Sequence, residues 1–435
     1  MLKYLLAFLG IAPIIAFSQT KDSFPHTPFA GVDATWVNGQ NRQTDFPLQY
    51  KDFLTAVAYV DAYYNYNFAK PIDHTQTISA TMGRTNEVTL NMVSLGIESN
   101  YKNTIARIWL QTGNSLHIVQ EQDPSVTLGR NTGTGNTKFI REAATGYHFN
   151  KWYGINVEAG IFMSFIGLES YLTQENWCYQ RAMPCEMTPF YFQGARIQIN
   201  PTRHLQTQVW LLNGWQTYNN FQKAPGLGSS TYYRPNDNLQ LVANFYMGQT
   251  TPIAKYWRFH HDNSVNWRYY HSQTKGSAIA QAALSWNNHF GFESYLPFPN
   301  HTFDNYMIGT SLANRIWLKD KKSALTLRAD YVQNPGMYLS FYPGTNPADY
   351  QNALRWMDKP SVNVFQGVAC YDWMPNDHFT FRIEYGYRKA NLPYFAGAGG
   401  TTSANGYTTD QSVKPFRSDL RKTENRITLA VSTRI

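Results

Sequence analysis

Nine arginines and six carboxylates recur at alternate positions of strand-like segments. They are Arg107, Arg196, Arg258, Arg268, Arg315, Arg328, Arg382, Arg388 and Arg426, with Asp61, Glu98, Glu158, Asp262, Asp330 and Glu384. Side chains two residues apart on a strand share one face. A face carrying these charges cannot be turned to lipid, since an arginine at the bilayer midplane costs roughly 2–4 kcal/mol. Their chemistry is therefore electrostatic: an aqueous lumen in which guanidinium groups concentrate anions, because low-dielectric walls focus the field. The same groups can also pair across strands as a ladder that stiffens the wall. The excess of arginine over acid argues for a pore with a weak anion preference.

Other groupings invite chemistry less well. His260, Asp262 and Ser264, within HHDNS, share one strand face and have the residue types of a hydrolase triad. Neighbours two apart on a strand are ~6.5–7 Å apart, whereas triad atoms must approach within ~3 Å, so polar lumen lining is expected instead. RNTGTGN (130–136) is glycine-rich but lacks the Gly-Lys-Ser/Thr ending of a phosphate loop, and reads with AGAGG (396–400) as an external loop. Trp109 shares a face with Arg107 and Gln111 and is the candidate for stacking a sugar ring. Cys178 and Cys185 lie seven residues apart in one proline-containing loop, a spacing that permits a disulfide in an exported protein, with Cys370 unpaired in a strand. Neither a CxxC spacing nor a neighbouring histidine pair marks these thiols as metal ligands. No catalytic residue, cofactor or metal is expected.

The elements that must position these residues follow from composition and periodicity. Of 435 residues, only 15% are charged and 16% are aromatic, including 30 Tyr and 12 Trp. Mean hydropathy is −0.44, and the one long apolar run spans residues 4–17. A helical membrane protein needs repeated apolar runs of ~20 residues. Few charges, abundant Tyr, Trp, Asn, Thr and Gln, and period-two patterning suit a transmembrane β-barrel. Lys3, the apolar stretch 5–17 and Ala16-Phe17-Ser18 read as a cleaved signal peptide over 1–18, with the mature chain starting at Gln19. The net charge of +8 is then no argument for nucleic acid. It fits contact with acidic lipopolysaccharide or an anion-favouring pore.

Alternation orients the strands. Ile427, Leu429, Val431, Thr433 and Ile435 form one face of the last segment, and Arg426, Thr428, Ala430, Ser432 and Arg434 the other. Phe379, Phe381, Ile383, Tyr385 and Tyr387 alternate likewise with Thr380, Arg382, Glu384, Gly386 and Arg388. Short links fall at 99–103, 149–153, 200–204, 248–251, 319–323 and 374–378, and long ones at 69–86, 114–137, 166–187, 216–236, 334–359 and 389–421. Barrels put short turns in the periplasm and long loops outside. Strict alternation then requires one more short turn near 287–289, followed by a weak strand over 290–296. The expected fold is all-β: one antiparallel up-and-down transmembrane barrel over 54–435, of sixteen strands, or fourteen if the weak region is a folded loop. Residues 19–53 form an ordered periplasmic segment or a partial plug. Trp36, Trp109, Trp152, Trp177, Trp215, Trp257, Trp286, Trp317 and Trp373 cluster at strand ends, as interfacial girdles do.

The stretches YVDAYYNYNFAKP (59–71), VEAGIFMSFIGLESY (157–171), ENWCYQR (175–181), TPFYFQGARIQI (188–199), LLNGWQTY (211–218) and MPNDHFTFRIEYGYRKANLPYF (374–395) resemble the putative beta-barrel porin-2 family. The resemblance runs from about residue 31 to the C-terminus. It implies a porin-like outer-membrane barrel of the type common in Bacteroidota. It brings no catalytic residues and no defined substrate.

Three functions are weighed. A porin passing small hydrophilic solutes fits a sixteen-stranded barrel with polar walls. A plugged barrel used for adhesion or scaffolding fits the long loops and residues 19–53. An outer-membrane hydrolase would need a catalytic group that no motif places. The partners expected are outer-membrane lipid and lipopolysaccharide, the solutes, the barrel-assembly machinery and, compatibly, further copies of the chain.

Overall fold

The computed structural model describes residues 25–37, 46–77, 79–120, 137–186, 188–220, 222–250, 256–274, 276–295, 305–319, 321–336, 361–401 and 418–435, with positions 123, 125, 135, 338 and 339 between them. The expected signal peptide and most of RNTGTGN lie outside the described residues.

Sixteen strands form the wall. They are β1 (Leu54–Asn67), β2 (Val88–Tyr101), β3 (Thr104–Thr112), β4 (Ile140–Phe149), β5 (Ile155–Met163), β6 (Tyr191–Thr202), β7 (Leu205–Leu212) and β8 (Gly226–Asn236), then β9 (Leu239–Gln249), β10 (Tyr256–His271), β11 (Ile279–Tyr295), β12 (Asn305–Leu318), β13 (Ser323–Pro335), β14 (Ser361–Trp373), β15 (Phe379–Ala390) and β16 (Thr423–Arg434). Each pairs antiparallel with its sequence neighbours. The ring closes where β16 pairs with β1, from Arg426 opposite Asn67 to Arg434 opposite Tyr59. Closure leaves the wall no free strand edge, which is what lets β-structure span a membrane.

The pleat sorts side chains as the alternation requires. In β13, Leu325, Leu327 and Tyr331 face outward, with Leu327 67% exposed, while Thr326, Arg328 and Asp330 are buried inside. β2, β3, β15 and β16 expose Leu95 and Ile97, Ile108 and Leu110, Ile383, and Ile427 and Leu429 in the same way. The apolar surface thus faces lipid and the charge faces inward.

Short connections at one end lie at 102–103, 150–154, 203–204, 237–238, 272–278, 319–322 and 374–378. At the first, Lys102 and Asn103 have φ of 52° and 68°, the paired left-handed geometry of the tight turn that matches strand twist. The long connections are at the other end.

The strand count agrees with the sequence reading, but two turns do not. Asn287 and His289 do not bend the chain. They lie within β11, opposite Ser264 and Asp262 on one side and Ser311 and Gly309 on the other. They are polar because they face inward. The turn expected at 248–251 falls instead at the long-loop end, since β9 runs to Gln249. The strand overlooked is β8, GLGSSTYYRPN, inside the expected long link 216–236. Its glycines and serines blur the alternation, and Pro235 lies beside a register shift against β9, where a proline is tolerated. Its short turn is Asp237 and Asn238. The two errors offset each other in the count, and fourteen strands is excluded.

Candidate functional site

The connection from β5 to β6, residues 164–190, has no strand and turns into the barrel. Most of its side chains are buried, including Phe165, Ile166, Trp177, Tyr179, Arg181 and Met183. A chain in this position has backbone groups that no sheet can pair, so the wall must satisfy them. Arginine suits this, having five donors and a charge that holds at any working pH. Arg382 donates to the Thr173 carbonyl at 3.0 Å and to the Asn176 carbonyl at 2.9 Å. Arg315 donates to the Trp177 carbonyl at 2.9 Å and Arg328 to that of Gln180 at 2.7 Å. Arg388 reaches the Gln180 side chain at 2.6 Å.

The wall acids take the segment's donors. Asp61 accepts from Tyr179 Oη at 3.0 Å and Thr173 Oγ1 at 2.8 Å. Glu384 accepts from the Tyr179 amide at 2.6 Å. Asp262 accepts from the Gly167 amide at 3.1 Å, and Asp330 from that of Met183 at 3.3 Å.

Between these contacts run ion pairs within the wall. Asp372 meets Arg315 at 2.7 Å and Arg382 at 2.5 Å. Arg426 meets Glu384 at 3.3 Å and Glu424 at 3.2 Å. Arg388 lies 3.7 Å from Glu424, Arg328 3.1 Å from Asp330, and Arg258 2.6 Å from Glu293. Arg268 pairs with Asp33 at 2.6 Å. Glu158 is shared by Arg107 at 2.8 Å and Arg196 at 2.7 Å, and Glu142 takes Arg107 at 2.7 Å. Glu98 accepts from the Trp109 indole at 2.9 Å. The acids Glu142, Glu293, Asp372 and Glu424 were absent from the sequence-based set, as were Glu169 and Glu175 of the inward segment. Arg141, Arg181 and Arg434 were absent from it too, and with all of these the interior charge is close to balanced.

Among the described residues, two cavities lie beside the segment. One of about 320 Å³ lies against the β2–β8 wall, lined by Glu98, Arg107, Glu142, Arg196, Gln208 and Tyr232. One of about 200 Å³ lies on the other side, lined by Glu169, Tyr171, Arg181, Asn287, Arg328 and, again, Tyr232. Met163 and Ser164, where the segment leaves the wall, also line both.

Residues 25–37 sit at the short-turn end. The Trp36 indole donates to the Asp237 carbonyl at 2.7 Å. Its ring is buried with Trp177 of the inward segment and Trp317 and Met374 of the wall. Trp36, Trp177 and Trp317 are therefore interior packing rather than membrane girdle, whereas Trp152, Trp286 and Trp373 are exposed on the outside. The Arg141 guanidinium stands 4.1 Å over the Trp109 ring, so one face of that indole is already covered against sugar stacking.

His260 and Asp262 lie together, their polar atoms within 4.8 Å of one another and of His289, but the bonds are not those of a triad. His260 bonds His289 and Tyr338, each at 3.0 Å. Asp262 takes Asn244 at 2.8 Å, and Ser264 accepts from Asn287 at 2.9 Å. No serine–histidine pair forms among them. The disulfide expected between Cys178 and Cys185 is not formed, and both thiols are free. The segment carries them to different neighbours: Cys185 donates to Asn287 at 3.4 Å, while Cys178 packs on Val368 and Cys370.

A closed sixteen-strand ring with lipid-facing leucines, a charged interior and an inward loop is the architecture of a porin. Residues 54–414 match the family model described as "Putative beta-barrel porin-2, OmpL-like". The chain belongs to this family. Among solved structures it is similar to an anion-selective porin from Comamonas acidovorans, with a TM-score of 0.54 and 8% identity over 88% of this chain and 99% of that one. It is also similar to OprB of Pseudomonas putida (TM-score 0.47, 10% identity, 88% and 94% covered) and to the outer membrane channel DcaP of Acinetobacter baumannii (0.46, 9%, 89% and 99%). At such identities the likeness speaks for the fold alone. No curated protein matches. The family places this porin in the outer membrane.

Proposed function

We propose that the porin is a narrow, non-enzymatic diffusion channel for small hydrophilic solutes, with residues 164–190 setting its bore. The observation that carries this is the pair of cavities, the larger of them mostly polar, whose linings share Met163, Ser164 and Tyr232. They mark a route between the inward segment and the β2–β8 wall, away from the densely bonded side formed by β13–β16. Around the larger cavity Arg107 and Arg196 stand against Glu98, Glu142 and Glu158, so charge nearly balances. This supports weak selectivity. The anion preference inferred from the arginine count has limited support where solutes would pass, because most of the remaining arginines are bonded to carboxylates and to carbonyls of the inward segment, whereas Nε and Nη1 of Arg181, beside the smaller cavity, have no hydrogen-bond partner among the described residues.

The same bonding favours one second reading, a barrel held shut by its inward segment, with Trp36 sealing the periplasmic mouth. Single-channel recording in planar bilayers separates the two. Small, stable steps in wild type that enlarge in Tyr232→Ala, with a reversal potential near zero under a KCl gradient, are expected for the channel. Absence of steps in both proteins, each shown to be folded by heat-modifiable gel mobility, would establish the plug.

A further inference from the structure

We propose that Cys178 and Cys370 are joined by a disulfide in the mature protein, fastening the inward segment covalently to strand β14. The two sulfurs lie within 4.8 Å of each other, and the two residues form one buried cluster with Val368. Both thiols are free in this structure, and disulfide closure needs ~2.05 Å between sulfurs, so both side chains must turn toward each other, with Cys370 giving up its 3.6 Å bond to Asp372. The backbone is already held in place for it. On one side of Cys178 the Trp177 carbonyl is gripped by Arg315, and on the other the Tyr179 amide by Glu384. Cys370 is fixed in register between Thr326 of β13 and Glu384 of β15.

A shared metal ion is the competing use of this cluster, with Glu384 as third ligand. The Glu384 oxygens are occupied by the Tyr179 and Gln180 amides and by Arg426. That leaves the carboxylate little capacity for a cation. Cys185 does not compete, because its thiol is directed to Asn287 and His289.

An outer-membrane protein folds outside the reducing cytoplasm, where disulfides persist. The step balances as a thiol–disulfide exchange with an envelope oxidase. The Cys178 thiol loses a proton and attacks the oxidase disulfide, giving a mixed disulfide and one oxidase thiol. The Cys370 thiol then loses a proton and attacks the Cys178 sulfur, releasing the oxidase as a dithiol. Two thiols are oxidised, one disulfide is reduced, and two protons pass to the departing thiolates. Both sulfurs are buried in the finished barrel, so the exchange precedes docking of the segment.

The test counts thiols in full-length protein extracted from outer membranes, denatured in the presence of an alkylating maleimide, with and without prior reduction. One labelled cysteine, Cys185, is expected without reductant and three with it. Peptide mapping should find the Cys178 and Cys370 peptides linked, lighter by two hydrogens than their sum. Cys185→Ser should keep the link, and Cys370→Ser should free Cys178. Three labelled cysteines in unreduced wild type, or a link from Cys178 to Cys185, would overturn the proposal. The readout is independent of whether the barrel conducts.

Discussion

The Tyr179 amide donates to the Glu384 carboxylate at 2.6 Å, joining the inward segment to a wall strand that is synthesised long after it. The same carboxylate is held from behind by Arg426 at 3.3 Å. Glu384→Ala removes both contacts and leaves a buried guanidinium with one acid partner fewer. Breaking a buried pair from one side costs about 3–5 kcal/mol. The variant should lose heat-modifiable mobility at a lower temperature than wild type and show noisier open-channel current. Unchanged stability would mean that the contact contributes little to holding the segment.

A test of facing uses β13. Leu327→Arg turns a guanidinium toward lipid and should cost roughly 2–4 kcal/mol, read as a lower urea midpoint for refolding into lipid vesicles. Leu327→Phe, on the same face, should refold like wild type. Equal behaviour of the two would contradict the outward assignment.

Selectivity should respond most at the larger cavity. Arg196→Gln leaves Glu158 with Arg107 as its remaining partner and removes one positive charge from the lining. The reversal potential should move toward cations, and the shift should shrink at high salt because screening shortens the range of the field. Arg315→Gln, on the bonded side, should leave the reversal potential unchanged. Equal shifts from the two substitutions would refute the route along β2–β8.

The N-terminal segment has its own titration. Partial burial raises the Asp33 carboxyl, but bonds from Arg268 and Thr35 outweigh it, and the net pKa is lowered. A depressed carboxylate contributes stability above its unfolded value, and this is lost as pH falls through the folded value. Residues 25–37 should therefore resist protease at neutral pH and become cleavable in acid, measured by limited digestion with an acid-active enzyme. Asp33→Asn should be more easily cleaved at neutral pH, with a flatter pH dependence. An unchanged profile would show that Asp33 does not anchor the segment.

The sequence carried the wall well because lipid on one side and water on the other impose period two, and Leu325, Leu327 and Ile427 report it directly. It failed where polarity had another cause. Asn287 and His289 are polar because they face inward, and a scan for turns reads the same residues as a bend. Gly226 and Gly228 of β8 lie where large side chains from elsewhere need room: Phe165 of the inward segment comes within 2.4 Å of where a Gly228 side chain would begin. Residues 164–190 carry no periodicity at all, so their direction could not be read. Nor could the purpose of Arg315, Arg382 and Arg388, each of which sends at least one donor to that segment.

Tyr179 spans more than one partner. Its amide is bonded to β15 and its hydroxyl to Asp61 of β1, and β16, the strand that closes the ring, lies between those two. One residue thus touches the walls on both sides of the seam, where Ala58 and Ile435 exchange backbone hydrogen bonds of 2.8 and 2.9 Å. The segment therefore works as an internal brace: it ties β15 to β1 across the width of a single strand, so the register of the closed cylinder is held from within as well as by the seam.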